Sequence, residues 1–322
     1  MSQSSNDDRL VCEKLAQWIE RPPACAPAWP PDTWQRFIEG CRVHGVASLL
    51  YVRRDEMLSW PSHIMAWIDD QYAQNRRRIK RMIEELSAIL DIFERHGVRA
   101  MPLKGLVVTE LAYDDIALRP MNDLDLLLAQ SDFERGEGLL AELGYEKVFA
   151  GWKHTKFSKP GNRLIVDCDC EHPDNPRPVE IHSHCVERIR EERIDLTEQV
   201  WTTAKVGHLM GRPAWLMNSD VLWVYLLIHA THHMLHNNFR LIQLIDLLRL
   251  RSVAEIPAGL LNSVDARATI APLVLLQRYF PCRETEVLLR NQRERITASF
   301  AAWAESLDLY TVSYLNPAPW RD

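Results

Sequence analysis

The sequence predicts an α+β protein in which a small mixed β-sheet lobe is flanked by N- and C-terminal helical lobes. Three observations carry this. Residues 61–96 hold a helical apolar stripe, with Ile79, Met82, Ile83, Leu86, Ile89, Leu90 and Phe93 recurring at three and four. After Gly97 the texture turns to short apolar runs separated by turn residues and amphipathic stretches. From Ser219 the chain is helical again, starting with "SDVLWVYLLIHATHHMLHNN". The expected boundaries are 1–97 for an N-terminal helical region, 98–190 for the α+β core and 191–322 for a C-terminal helical domain.

Taken in order, "RLVCEKLAQWIE" (9–20) has helical apolar spacing, and the five prolines of "RPPACAPAWPPD" (21–32) stop it. A second helical segment lies in "TWQRFIEGCRVHGVASLLYVRR". The long helix from Pro61 to His96 follows, with Gly97 at its C′ position. "VRAMPLKG" (98–105) is a short buried strand, and "GLVVTELAY" a helix. "NDLDLLLA" (122–129) is a strand by length, and "SDFERGEGLLAELGY" (131–145) a helix with Ser131 or Asp132 as N-cap. "HTKFSKPGNRLIVDCDCE" (154–171) reads as a hairpin turning at Lys159-Pro160-Gly161-Asn162, and "RPVEIHSH" (177–184) adds a strand.

Composition narrows the function classes. The 322 residues carry a net charge of −6, which argues against a surface built to coat nucleic acid. The most basic run, "NRRRIKR" (75–81), reads as the solvated face of the long helix, with a phosphate or RNA contact as the functional alternative. Cys12, Cys25, Cys41, Cys168, Cys170, Cys185 and Cys282 form an odd, scattered set. The polar start "MSQSSNDDRL" is no secretory leader, and no apolar run approaches the roughly 20 residues that span a bilayer. A cytoplasmic protein with reduced thiols and no membrane partner is expected. The C-x-C of Cys168 and Cys170 with a distant Cys185 lacks the paired C-x-x-C spacing of strong zinc motifs. The eleven tryptophans read mostly as core.

The chemistry centres on "RPMNDLDLLLAQSDF" (119–133). Residues two apart on a strand project from one face, so Asp123 and Asp125 aim both carboxylates one way while the leucines pack on the other. Aimed carboxylates repel unless a cation lies between them, and Mg²⁺ suits that position beside substrate phosphate. A pair of such ions is the usual clamp for phosphoryl and nucleotidyl transfer. A third carboxylate is expected from Glu180, with Asp167 and Asp169 in reserve. The bland reading is the solvent-facing edge of a half-buried strand, since D-x-D is short and common. Gly105 ends "LKG" (103–105), permits close backbone approach and opens a helix whose N-terminus favours phosphate. Lys104 and Arg119 would add positive charge for a triphosphate.

Two further constellations contain histidine. In "HATHHMLH", His229, His232, His233 and His236 fall within an arc of about 100° on one helix, too spread along the axis to bind one ion together. His229 with His233, or His232 with His236, would make a two-His zinc pair needing other ligands. Boundary histidines bonded to neighbouring helices are the alternative. "EIHSH" puts Glu180, His182 and His184 on one strand face. There His182 would orient Glu180, contact substrate, or sit on the sheet with a water partner.

As an ordered set, "LKG", "ALRPMNDLDLLL", "LAELGY", "VEIHSH", "LLIHATHH" and "LIDLLRL" resemble the uncharacterised nucleotidyltransferase family of the polymerase-β-like superfamily, over roughly residues 75–250. The resemblance implies that family's fold, Asp123 and Asp125 as metal ligands and Glu180 as the third. It also implies that His229, His233 and Asp246 close onto the active-site cleft. The superfamily's usual Gly-Ser or Gly-Gly is replaced by Lys104-Gly105, and the run from Gly105 to Asp123 is longer than in the best-known members. The expected activity is Mg²⁺- (or Mn²⁺-) dependent transfer of a nucleoside monophosphate from ATP or another NTP to a hydroxyl acceptor, releasing pyrophosphate. The acceptor is a small molecule, peptide or protein, with nucleic acid not favoured. The alternatives are a non-catalytic nucleotide- or partner-binding protein, or transfer of another phosphorylated group to a peptide or small molecule.

Overall fold

The computed structural model describes residues 3–167, 171–254 and 258–315. Helices α1 (Gln3–Trp18), α2 (Pro31–His44), α3 (Ala47–Tyr51) and α4 (Ser62–Arg95) come first. Then follow β1 (Ala100–Pro102), α5 (Gly105–Ala112), β2 (Leu124–Leu128), α6 (Phe133–Glu142), β3 (Glu146–Ala150), β4 (His154–Ser158) and β5 (Val179–His182). Next come β6 (Val186–Ile189), β7 (Glu192–Asp195), α7 (Thr197–Thr203), β8 (Lys205–Leu209) and β9 (Arg212–Leu216). Helices α8 (Ser219–Leu235), α9 (Leu241–Leu250), α10 (Ala258–Ser263), α11 (Ile270–Tyr279), α12 (Arg283–Arg293), α13 (Ala298–Ser306) and α14 (Leu309–Tyr314) end the chain. Among the described residues, no helix is long and apolar enough to cross a membrane.

The chain divides into two compact units. One comprises Met1–Asp69, Glu187–Ile194 and Trp223–Asp322. In it the first and last helices pack together: Arg9 pairs with Asp308, and its guanidinium lies 5.3 Å from the Tyr310 ring centre. The proline-rich stretch lies on an aromatic cluster of Trp18, Trp29, Trp34, Phe37 and Trp60, with Trp18 5.0 Å from Trp29 and 5.3 Å from Trp60. Proline brings no N–H to satisfy there, and the Trp60 indole N–H donates to the Pro23 carbonyl at 2.8 Å. His44 is fully buried: its Nδ1 accepts the Leu241 N–H at 3.2 Å, which leaves Nε2–H to face Cys12 Sγ at 3.4 Å.

The other unit comprises Asp70–Val186 and Asp195–Leu222. Its five-stranded sheet has the order β1-β2-β5-β4-β3, with β2 and β5 parallel and the other pairs antiparallel. Strand β2 is buried throughout, as its leucine run requires, and α4 ends at Gly97 with φ +65°, the left-handed value expected of a C′ glycine.

Several expected elements take another form. Strand β4 does not turn back on itself at Lys159–Asn162; it forms a hairpin with β3, an exposed strand unforeseen in the sequence, while 163–167 is irregular. Asn175 explains this, since its side-chain Oδ1 accepts the N–H groups of Val166 and Asp167 and so takes the role of a strand partner. Asp132 stands at the N-cap of α6 but caps nothing; its carboxylate accepts the Arg99 N–H at 3.0 Å and pairs with Arg135. Strands β6 to β9 and α7 were also unforeseen, being too short and polar to show a period.

The basic run divides between surface and interior. Arg76, Arg77 and Lys80 are exposed, but Asn75 and Arg78 are buried. Arg78 donates from Nε to Met121 O (2.9 Å), from Nη1 to His172 O (3.2 Å) and Asn175 O (3.0 Å), and from Nη2 to Asn122 O (3.3 Å) and Pro176 O (2.7 Å). One guanidinium thus ties the segment entering β2 to the segment entering β5.

Candidate active site

The register of the sheet builds the site. Asp125 on β2 lies directly beside Glu180 on β5, and Glu180 is directly opposite Lys156 on β4. Two residues further along, His182 on β5 is opposite His154 on β4. Asp123 immediately precedes β2, within electrostatic reach of Asp125, Glu180, Lys104 and Lys156. Adjacent strands lie about 4.8 Å apart, so this row crowds three carboxylates into the central strands.

Two of the three acids are held by named groups. Lys104 Nζ donates to Asp125 Oδ1 at 3.1 Å, and His182 Nε2–H donates to the same oxygen at 2.9 Å. Lys156 Nζ lies 2.8 Å from Glu180 Oε1, and His154 Nε2 lies 3.4 Å from Glu180 Oε2. Burial would raise Asp125, but the Lys104 ammonium and the His182 hydrogen bond hold it well below the usual carboxylate range. Burial, then Asp125, then Glu180 push Asp123 up to about 7. Burial also lowers His154 below the ordinary imidazole value, while the Glu180 hydrogen bond raises Lys156 against its own burial.

Lys104 reaches Asp125 from a costly backbone, at φ 47° and ψ −117°, a conformation glycine adopts far more readily than lysine. Gly105 follows because a Cβ there would lie 2.4 Å from Met121 Sδ, with Arg119 Nη1 at 3.6 Å. Lys104 thus meets Asp125, and the buried Arg119 lies against Gly105.

The other expected residues are placed as follows. His182 contacts Asp125 and does not bond Glu180. His184 lies beyond the end of β5, where its Nδ1 meets Ser183 Oγ at 2.8 Å. Asp167 is in the irregular segment, its carbonyl accepting from Asn175 Nδ2 at 3.0 Å. Asp169, Cys168 and Cys170 lie outside the described residues. His229 bonds buried Glu187 Oε1 through Nδ1 at 2.6 Å, and His233 Nδ1 donates to the Asn238 carbonyl at 3.0 Å. Asp246 is buried on α9. These three belong to the helical unit. His154 and Lys156 were missed. The signal was available: His-x-Lys on one strand mirrors Glu-x-His on its neighbour, but only once the pairing of those strands is known.

The donor set fits a hard divalent cation, being three carboxylates of which one is raised by crowding and burial. Among the described residues, His154, Glu180 and His182 also offer one ligand atom each, all within 4.8 Å of one another.

Residues 30–269 match the model of a family described as uncharacterised nucleotidyltransferase. No curated protein matches the chain. A solved structure of an antigenic nucleotidyltransferase-like protein from Paracoccidioides brasiliensis is similar at 12% identity and TM-score 0.39, covering 65% of this chain and 92% of that one.

Proposed function

The chain belongs to the uncharacterised nucleotidyltransferase family, and from that premise we propose that it moves a nucleoside monophosphate from an NTP to a hydroxyl acceptor. The observation that carries this reading is the register that puts Asp125 beside Glu180, with Asp123 one step before β2 and Lys104 against Asp125.

Asp123 and Asp125 would hold Mg²⁺ or Mn²⁺, with Glu180 completing the set. The bound cation would neutralise charge on the transferring phosphoryl group and the departing pyrophosphate. Lys104 and Arg119 would orient the triphosphate so that the acceptor oxygen is in line with the α-phosphorus. The O–P bond to the acceptor then forms as the bond to pyrophosphate breaks. Glu180, held by Lys156, would take the acceptor proton. Positioning and preorganised charge supply most of such catalysis. His229, His233 and Asp246 are proposed for the acceptor side, as the family pattern implies, and a cytoplasmic setting is proposed with it. A functional partition into 1–97, 98–190 and 191–322 is proposed with it: N-terminal helical region, nucleotidyltransferase-like core and C-terminal helical domain, the helical parts serving the acceptor.

One feature favours a second reading. Asp125 and Glu180 are each already paired with a lysine of the chain, an arrangement that suits a nucleotide-binding protein without turnover. Incubating the protein with Mg²⁺ or Mn²⁺, each labelled NTP and host extract, beside Asp123→Asn and Asp125→Asn, separates the two. Label transfer and pyrophosphate release lost in both variants support the transferase. Metal-dependent nucleotide binding without turnover replaces it with the sensor.

A further inference from the structure

We infer that His154, Glu180 and His182 form a site for one divalent first-row transition ion, chemically distinct from the all-carboxylate Asp123/Asp125 position beside it. Glu180 is shared between the two descriptions; the imidazoles are what set this site apart.

The sheet presents the three residues together: His182 and Glu180 alternate on β5, and His154 faces His182 across the β4–β5 ladder. The 3.4 Å between His154 Nε2 and Glu180 Oε2 equals the donor spacing in a tetrahedral shell with bonds of about 2.1 Å. His182 and Glu180 have the supporting contacts that metal-binding histidines and carboxylates commonly have. His182 gives its Nε2 proton to Asp125, which leaves Nδ1 carrying the lone pair. That Nδ1 is buried with no hydrogen-bond partner, and the His182 side chain is 1% exposed. His154 offers Nε2 to the site, the nitrogen turned to Glu180. Glu180 has Oε1 fixed by Lys156, so Oε2 is the oxygen turned to His154. Unpartnered buried imidazole nitrogen is costly unless something takes its lone pair. Two imidazoles with one carboxylate prefer Zn²⁺, Co²⁺ or Fe²⁺ to Mg²⁺, which keeps oxygen ligands and water.

The test uses the full chain, stripped with chelator and free of nucleotide. Co²⁺ is titrated while its d–d absorption is followed, and Zn²⁺ and Mg²⁺ are titrated by calorimetry. One equivalent of Co²⁺ or Zn²⁺ should bind about 100-fold or more tightly than Mg²⁺. His154→Ala should weaken that binding at least about 10-fold, and His154→Gln, which keeps bulk and polarity, should do the same. A His232→Ala/His236→Ala double variant, which removes the i,i+4 pair at the C-terminal end of α8, should leave it unchanged. Circular dichroism confirms that each variant is folded. Wild-type affinity in either His154 variant, Co²⁺ binding no tighter than Mg²⁺, or loss of binding in the α8 double variant would overturn the assignment. Because no nucleotide is present, failure here and failure of the transfer assay are independent results.

Discussion

Replacing Arg78 with lysine keeps the charge and removes the fork, and the structure sets the magnitude. The guanidinium is 1% exposed and donates to five backbone carbonyls, those of Met121, Asn122, His172, Asn175 and Pro176. Lysine has three donors on one atom, so at least two of the five hydrogen bonds are lost, although His172 O keeps the Asn175 N–H and Asn175 O keeps Asn162 Nδ2. A hydrogen bond from a charged donor contributes about 1.5–3 kcal/mol, so losing two puts Arg78→Lys at about 3–6 kcal/mol. Against a total stability of roughly 5–15 kcal/mol, that is a large fraction. Urea unfolding followed by circular dichroism should show the midpoint lowered with little change in slope. Arg78→Met, which loses every donor, should fall further. A midpoint for Arg78→Lys equivalent to less than about 1 kcal/mol of loss would refute the view that this group anchors the β2 and β5 entries.

Other expectations follow from single contacts. Asp125→Asn should reduce transfer at least about 1000-fold while the far-ultraviolet spectrum is unchanged; full activity would remove Asp125 from the chemistry. Lys104→Gly should be more stable than Lys104→Ala by about 1 kcal/mol, because alanine keeps the cost of φ 47° that glycine avoids. Both should raise the KM for NTP. Gly105→Ala should cost about 1–3 kcal/mol through the 2.4 Å approach to Met121 Sδ, and adding Met121→Ala should recover part of it in thermal melts. Burial, reinforced by Arg240, lowers His44 to about 3 from 6.5, so below pH 6.5 the unfolded chain binds a proton that the folded chain refuses. Stability is thereby lost as pH falls through 6.5, by about 2 kcal/mol between pH 7 and pH 5. A His44→Gln variant should lack this slope, and identical pH profiles for the two proteins would contradict the assignment.

Much of the site was legible because its chemistry follows strand period. Asp-x-Asp on a leucine-rich strand and Glu-x-His on another need only alternation to be found, and the parallel β2–β5 register then aligns them. What alternation cannot reveal is which strand neighbours which. His154 and Lys156 were read as half of a self-contained hairpin, whereas β4 pairs with β3 and β5. Arg78 was hidden for a related reason: within "NRRRIKR" nothing distinguishes it from its exposed neighbours. Its burial is decided by carbonyls of residues 121–122 and 172–176, far along the chain. The long helix, by contrast, ended at Gly97 as read, because caps are local. Lys104 shows the opposite limit, since no propensity would place a lysine in a glycine conformation.

The Arg78 clamp also has a meaning in time. Its partner Pro176 is synthesised 98 residues later, and His182 trails Asp125 by 57. At about 5–20 residues per second, roughly 5–20 seconds pass between the emergence of the guanidinium and that of the last carbonyl it holds. During that interval the polar stripe of α4 is solvated, β2 lacks its parallel neighbour, and no truncated chain can assemble the acidic row. The three carboxylates of the candidate site therefore come together in one late step of folding, and a nascent chain stalled before β5 has its aspartates without Glu180 beside them.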